Sequence, residues 1–257
     1  MTAATTSRAP GGRYRFPQAA RMEWIKLRSL RSTWWTLAVT AVAAIGIGVA
    51  VGLNTENASG DLTNNALAGI IPGLLFAGVL GALVMTGEYA SGMIQATLAA
   101  IPNRPLLLAA KAGVFGAVTL AVGEVTAFIA FFAGGAALRP GIAAPALGQP
   151  GVLRAVVLSG TGFCLIGLIG LGLGAIIRHT PAAIAVLVGG VYIVAQFIGG
   201  IAPAVGAYVP MAIVGNSLAV ARPDPEMLSP WSGLATLCLY AAALLVTGGW
   251  LLTRRDA

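Results

Sequence analysis

Long apolar stretches separated by short polar segments dominate the hydrophobic pattern of this 257-residue chain. A membrane-spanning helix needs about 20 mostly apolar residues, whereas the strands of a membrane β-barrel are short segments of alternating polarity. Six continuous stretches reach the helical length, and they are Trp34–Leu53, Ala66–Met85, Leu106–Leu138, Val152–Ile177, Pro181–Ile201 and Trp231–Leu252. The pattern therefore predicts an all-α integral membrane protein with six transmembrane helices.

Composition supports the same class. Charged residues make up 9% of the chain, against about a quarter in an average soluble domain. The 35 glycines include three pairs spaced one helical turn apart, which let helices approach closely in lipid. These pairs are Gly48 and Gly52, Gly69 and Gly73, and Gly170 and Gly174. We expect them at contacts between spans rather than in a nucleotide-binding loop.

The basic residues predict the orientation. Six spans place both termini on one side, and assigning that side to the cytoplasm collects most of the arginines and lysines there. Only Arg139, Arg154 and Arg222 are left on the outer face. Both termini are therefore predicted to be cytoplasmic. The net charge of +7 then concerns anionic lipid headgroups, and we expect no nucleic-acid partner.

The segment before the first span has two predicted parts. Residues 1–16 form a disordered basic tail, and residues 17–33 form an interfacial helix with Pro17 in its first turn. At 100° per residue, Arg21, Trp24, Arg28 and Arg31 fall within an arc of about 80°. This basic face is compatible with a simple anchor for the first span and also with a helix that touches a cytoplasmic partner.

The polar link between the second and third spans predicts a short helix over residues 88–101. Ile94, Leu98 and Ile101 recur at helical spacing, which makes an apolar stripe. Glu88 at the start of this helix suits the helix dipole, and Pro102 ends it. The stripe suits a groove on another protein or the lipid surface, and the residues themselves leave both possibilities open.

Three motifs resemble the membrane subunits of ATP-binding cassette exporters of the type 2 class, as found in actinobacteria. They are the leader 22–35, the motif Glu88-Tyr89-x-x-Gly92 followed by Leu98, Pro102, Arg104 and Lys111, and the segment 174–180 at the end of the fourth span. With the six-span layout, the resemblance covers roughly residues 18 to 255.

The resemblance implies a role for each segment. Residues 17–33 would be the connecting helix, residues 88–101 the coupling helix, and residues 203–220 short extracellular helices before the last span. The coupling helix would rest on a separate ATPase subunit through Glu88, Tyr89, Gly92, Ile94, Leu98, Ile101 and Arg104. Such permeases work as dimers of identical or different chains, here in a bacterial plasma membrane.

The same reading assigns no catalysis to this chain. It lacks the G-x-x-x-x-G-K-[ST] phosphate loop, so ATP and magnesium are expected on the partner subunit. One histidine and two distant cysteines offer no metal site. The substrate of export is expected to be a small molecule such as a drug or antibiotic, a peptide or a lipid, and the sequence does not choose among them.

Glu124 is the acid within the third span, about 20 Å beyond Lys111 along the helix axis. We expect Lys111 to extend to the inner interface and Glu124 to face the bundle, with Arg154 as a conceivable partner. Glu124 has three open roles, namely a hydrogen bond between spans, contact with cargo, and proton coupling. The alternatives to an ATP-driven exporter are accordingly a secondary transporter that uses Glu124, and a membrane scaffold that does not transport.

Overall fold

A computed structural model of the protein describes residues 15–57, 60–194, 197, 200–221 and 224–254, and these contain helices but no β-strand. In chain order the elements are α1 (Phe16–Ser29), α2 (Arg31–Asn54), α3 (Leu62–Ala66), α4 (Ile70–Ala90), α5 (Met93–Ala100), α6 (Arg104–Ala136), α7 (Val152–Ile177), α8 (Thr180–Ala185), a π-helical segment (Val186–Val194), α9 (Pro203–Gly206), α10 (Pro210–Leu218) and α11 (Pro230–Arg254).

Five of these helices, α2, α4, α6, α7 and α11, are long and apolar enough to cross a membrane. They coincide with the first four predicted spans and the last one, so the chain is a helical, multi-pass membrane protein. The predicted span Pro181–Ile201 differs, because its continuous described part consists of α8 and the π-helical segment, followed by the separate helical residues 197, 200 and 201. Together α8 and the π-helical segment cover Thr180–Val194, which is shorter than a spanning helix needs.

The interfacial helix is shorter than predicted. Leu30 has extended backbone angles (φ −83°, ψ 94°), so α1 ends at Ser29 and α2 starts at Arg31. Arg21, Trp24 and Arg28 belong to α1, whereas Arg31 belongs to the first long helix, and its assignment to the interfacial helix was wrong. Most of the predicted disordered tail, residues 1–14, lies outside the described residues.

The predicted helix over residues 88–101 is also divided. Glu88 and Tyr89 lie in the last turn of α4, and a turn at Ser91 and Gly92 precedes α5. Gly92 has a φ of +71°, a left-handed conformation that glycine adopts without the steric cost of a Cβ. Glu88 therefore does not begin the short helix, because α4 continues past it until Gly92 turns the chain.

The centre of the bundle is α7, which packs against α4, α6 and α11. Its buried face includes Phe163, Ile166 and Leu171. The helices meet closely at glycines, because a methyl group on Gly170 would overlap the Gly78 carbonyl oxygen. Gly174 likewise faces Ala82 of α4. The other two predicted glycine pairs also face neighbouring helices, although Gly69 itself lies in the α3–α4 connection, and this confirms their packing role.

The bundle has two distinct ends, which we name by their short helices. At the α3/α10 end, the Asp61 side chain caps α3 and accepts hydrogen bonds from the backbone N–H groups of Val220 and Ala221 at 2.6 and 2.8 Å. At the α1/α5 end, the Lys26 side chain donates to Thr97 Oγ1 at 2.9 Å. Since α4 runs from Ile70 near α3 to Glu88 near α1, the two ends are opposite.

The α4–α7 contact yields a stability prediction. Gly170→Ala should lower the free energy of unfolding by about 1–3 kcal/mol, because the methyl group collides with backbone rather than with a flexible side chain. Thermal unfolding of the purified protein in detergent measures the change. Gly46→Ala in α2 is the matched control, since a Cβ there meets nothing within 4 Å. Equal behaviour of the two variants would contradict the packing described.

Candidate functional site

Four charged side chains are gathered at the α1/α5 end, and we call them the ion-pair cluster: Glu23 and Lys26 of α1, Glu88 of α4 and Lys111 of α6. Glu23, Glu88 and Lys111 are 4%, 5% and 3% exposed, and Lys26 is partly buried. Two carboxylates face two ammonium groups, so the cluster is balanced in formal charge. Three separate helices therefore meet at one buried ionic centre.

Each of the two lysines lies within salt-bridge distance of both carboxylates. Lys111 Nζ lies 2.6 Å from Glu23 Oε2 and 2.7 Å from Glu88 Oε1. Lys26 Nζ lies 3.0 Å from the same Glu88 oxygen and 3.2 Å from Glu23 Oε1. Each carboxylate thus accepts from both lysines, and charge-assisted hydrogen bonds of this length are among the strong ones.

Helix α5 joins the cluster through one hydroxyl group. Thr97 is 4% exposed, and its Oγ1 accepts the hydrogen bond from Lys26. Lys26 therefore links α5 directly to both acids. A displacement of α5 along this contact would act on α1 and α4 at the same time.

The local helix patterns place these groups. On α1, Ala19, Glu23 and Leu27 recur every fourth residue and form its buried face. On α6, Lys111 is buried one residue after Ala110. The four charged groups also line a cavity of about 330 Å³, and their strong partners within the bundle are one another.

Lys111 corrects an expectation from the sequence. It does not extend to the interface, because its ammonium group has two buried carboxylates within 2.7 Å. A lysine this deeply buried without acids would be costly to keep charged. The predicted position of Glu124 relative to Lys111 along α6 is unaffected.

A second joint at the same end involves arginines and the last turn of α11. Arg104, at the start of α6, donates to the Leu252 carbonyl oxygen at 2.5 Å, and Arg178 donates to the Leu251 carbonyl oxygen at 3.0 Å. Carbonyls in the last turn of a helix lack partners within the helix, and cations there are favourable. The two arginines therefore fix the end of α11 to α6 and α7.

Tyr89 belongs to this second joint. The Arg178 guanidinium lies 5.3 Å from the centre of the Tyr89 ring, within the range of a cation–π contact. Of the predicted coupling residues, Glu88 thus lies in the ion-pair cluster, and Tyr89 and Arg104 lie in the arginine joint. All three hold helices together, whereas none lies on α5.

The apolar stripe of α5 faces inward. Ile94 and Ile101 are 3% and 1% exposed, and Leu98 is partly buried against the same region. Ile101 packs with Ala19 of α1 and with α6, so the stripe itself leaves no apolar side chain free for a partner. The outward face is instead made of Met93, Gln95, Ala96, Ala99 and Ala100. The stripe was thus correctly recognised, and its outward direction was wrong.

The outer face of α1 agrees with the predicted basic surface. Arg21 and Arg28 are exposed, and Trp24 is 41% exposed on the same side. Glu23 and Leu27, on another face of α1, are buried. Helix α1 therefore has one face buried on the bundle and one exposed basic face, of which Arg21 and Trp24 border a groove beside α6.

Glu124 lies apart from both joints, midway along α6. Its Oε1 accepts a hydrogen bond from the Thr161 hydroxyl of α7 at 3.2 Å. Gly160 leaves the space for it, since a methyl group there would lie 2.5 Å from the Glu124 carboxyl carbon. Arg154, the conceivable partner, donates instead to the Ala219 carbonyl oxygen. The structure thus favours the interhelical hydrogen bond among the three roles.

Sequence reasoning missed Glu23, Lys26, Thr97 and Lys111 as members of a site. Apart from Glu23 and Lys26, which are three residues apart, the partners are 23 to 88 residues apart along the chain, so no local motif connects the helices. One signal was available. Glu23 and Glu88 are acids in segments that are otherwise basic or apolar, and such acids need partners when they are buried.

Comparison with protein-family models and with curated proteins finds no match to this chain.

The ion-pair cluster predicts a large cost for losing one lysine. Lys111→Met leaves Glu23 and Glu88 with only Lys26, and removing one partner of a buried pair typically costs about 3–5 kcal/mol. The free energy of unfolding in detergent measures this. The double variant Glu23→Gln with Lys111→Met restores a balance of one acid and one lysine, so its loss should be smaller than the sum of the single losses.

The exposed ion pair at the other end of the bundle provides the control. Arg139 and Glu56 lie 3.4 Å apart with side chains 50% and 70% exposed. Glu56→Gln should cost less than about 1 kcal/mol. If Lys111→Met costs no more than this control, the cluster does not stabilise the α1/α5 end.

Proposed function

We propose that this chain is the membrane subunit of an ATP-driven exporter, coupled to a separate ATPase subunit and acting as a dimer in a bacterial plasma membrane. The observation that carries the proposal is the buried ion-pair cluster, which joins α5 through Thr97 to α1, α4 and α6. Such a joint suits a helix that receives force from outside the bundle.

The mechanism follows from these contacts. Closure of the ATPase on nucleotide pushes α5, and the displacement passes to α1 and α4 through Thr97 and Lys26. Ile94 and Ile101 add apolar contacts that prevent α5 from moving alone. Lys111 transmits the displacement to α6, and the spans rock between inward-open and outward-open states. The substrate pathway would lie between the spans of the dimer.

The distribution of charge supports the orientation. Arg21, Arg28, Arg104 and Arg178 lie at the α1/α5 end, and the α3/α10 end holds Glu56 and Asp61. Positive residues accumulate on the cytoplasmic side of membrane proteins, so the α1/α5 end is proposed to be cytoplasmic. Contacts of Leu251 and Leu252 at this end agree with a C-terminus on the same side as α1.

A sixth crossing is part of the proposal. Arg178 lies at the α1/α5 end, whereas Val220 contacts Asp61 at the opposite end. These two contacts support a return across the bundle by the chain between them, which begins with α8 and the π-helical segment and would form the sixth span. The end of α10, next to Val220, would then reach the extracellular side, whereas α9 and the start of α10 would lie within the membrane, because Tyr208 contacts Tyr240 near the middle of α11.

The outward face of α5 is the proposed docking surface for the ATPase. Met93 is 47% exposed at the start of this helix and follows directly after the turn at Gly92. Gln95, Ala96, Ala99 and Ala100 complete a face of small and polar side chains. A surface of small residues lets another backbone approach closely without displacing α5.

This surface gives the functional test. Met93→Arg places a charge in the proposed contact. It should reduce by at least about tenfold both the amount of ATPase subunit that co-purifies with the chain and the stimulation of ATP hydrolysis by that subunit. The ATPase encoded nearest to this chain is the partner to co-express. Ser29→Arg, exposed at the same end on α1, is the matched control and should leave both quantities unchanged.

The alternatives predict different results. If no ATPase associates and reconstituted protein moves protons in a manner abolished by Glu124→Gln, the chain is a secondary transporter. If neither ATPase nor proton movement is found, it is a membrane scaffold. Either result would contradict the proposed function.

A further inference from the structure

A cavity of about 490 Å³ lies between α7, the π-helical segment, the start of α10 and α11. Its walls include Ile169, Gly190, Tyr208, Val209, Tyr240 and Leu244. This volume lies within the range of about 300–1,000 Å³ that is typical of small-molecule sites. The cavity is separate from the ion-pair cluster and from Glu124, and neither joint explains it.

The lining defines the chemistry of a ligand. None of the described residues that line the cavity is charged, and most are apolar. The polar groups come from Tyr208 and Tyr240. The Tyr240 hydroxyl donates a hydrogen bond to the Tyr208 backbone carbonyl oxygen at 3.1 Å. A charged ligand would be left without a partner here, which is costly, whereas an apolar molecule with one hydrogen-bonding group matches the walls.

The position of the cavity agrees with that class. Tyr240 and Leu244 lie close to the midpoint of α11, so the cavity opens at the depth where a membrane is most apolar. A molecule that reaches this depth through the bilayer must itself dissolve in lipid. Ile169 and Val209 on the inner wall are 2% and 5% exposed, whereas Val205 and Tyr208 are 50% and 52% exposed, so the cavity is open on its outer side.

The π-helical segment keeps the cavity open. A Cβ at Gly190 would meet no atom within 4 Å, so the missing side chain at this position leaves empty volume. Gly189, its neighbour, has equally open surroundings, but it is not among the residues lining the cavity. Long π-helical stretches are rare and are frequently found at functional sites.

We infer that this cavity is a binding site for uncharged, lipid-soluble molecules that carry a hydrogen-bonding group. The site itself follows from the walls, and the further step that such molecules are the cargo rests on the proposed function.

Photolabelling tests the binding site directly. The full-length protein in phosphatidylcholine nanodiscs is labelled with an uncharged trifluoromethyl-aryl diazirine that carries a benzyl alcohol, and the modified residues are mapped by mass spectrometry. Labelling of Tyr208 and Tyr240 should be saturable and should be suppressed by excess non-photoreactive trifluoromethylbenzyl alcohol. Leu239 and Val246, which are 68% and 72% exposed on the same helix, report simple partitioning into lipid.

Two glycine variants separate a specific site from bilayer labelling. Gly190→Leu fills the cavity and should reduce saturable labelling by about tenfold, since a few methylene groups decide access to an apolar pocket. Gly189→Leu adds the same side chain outside the lining and should leave labelling unchanged. Ala243→Leu fills the cavity from α11 and should reproduce the Gly190→Leu result if that variant is poorly folded.

Non-saturable labelling, equal at Tyr240 and at Leu239, would overturn the inference, because it would show lipid partitioning alone. Equal labelling of the two glycine variants would overturn it as well. The readout needs no ATPase. Saturable labelling without a co-purifying ATPase would therefore support the site while contradicting the proposed function.

Discussion

Charge buried in an apolar bundle is stable only when its partners are present, and this constraint organises the α1/α5 end of the molecule. Glu88 and Lys111 lie on two long helices whose other neighbours are apolar, so neither could remain charged alone. Glu23 and Lys26 supply the complementary charges from α1. Ion pairs with Glu88 and Lys111, together with apolar contacts, therefore hold the short helix α1 against the bundle. Helix α5 is attached to the same cluster through Thr97.

The rest of the bundle complements this joint. Glycines let α4 and α7 approach to backbone contact, as Gly170 does against Gly78, so this pair forms a tightly packed centre. Arg104 and Arg178 attach the last turn of α11 to that centre. Force applied at α5 would thus reach helices that move as packed units, while the π-helical segment beside Gly190 leaves space for a ligand. The proposed exporter combines a rigid joint at one end with a cavity halfway along the spans.

Hydropathy alone predicted the positions of five long helices, because about 20 apolar residues in succession have few other folded forms. It could not show that Val186–Val194 is π-helical, since side-chain polarity does not report hydrogen-bond register. The position of Glu88 was missed for a related reason. The predicted span ended at Met85, yet α4 continues to Ala90, and Lys26 and Lys111 neutralise the acid in its last turn. Such pairings depend on tertiary contacts that a single sequence does not reveal.

Glu88 Oε1 accepts from both lysines, so Glu88→Gln weakens the whole cluster with little change of shape. Hydrogen–deuterium exchange of this variant in nanodiscs, compared with the unmodified protein, is the most direct measurement of whether the cluster holds the short helices in place. We expect faster amide exchange throughout α1 and α5, with exchange in α7 unchanged. Without the Glu88 carboxylate, separating α1 or α5 from the bundle breaks fewer charged contacts and so costs less free energy. Unchanged exchange in α1 and α5 would contradict the central role of the ion-pair cluster.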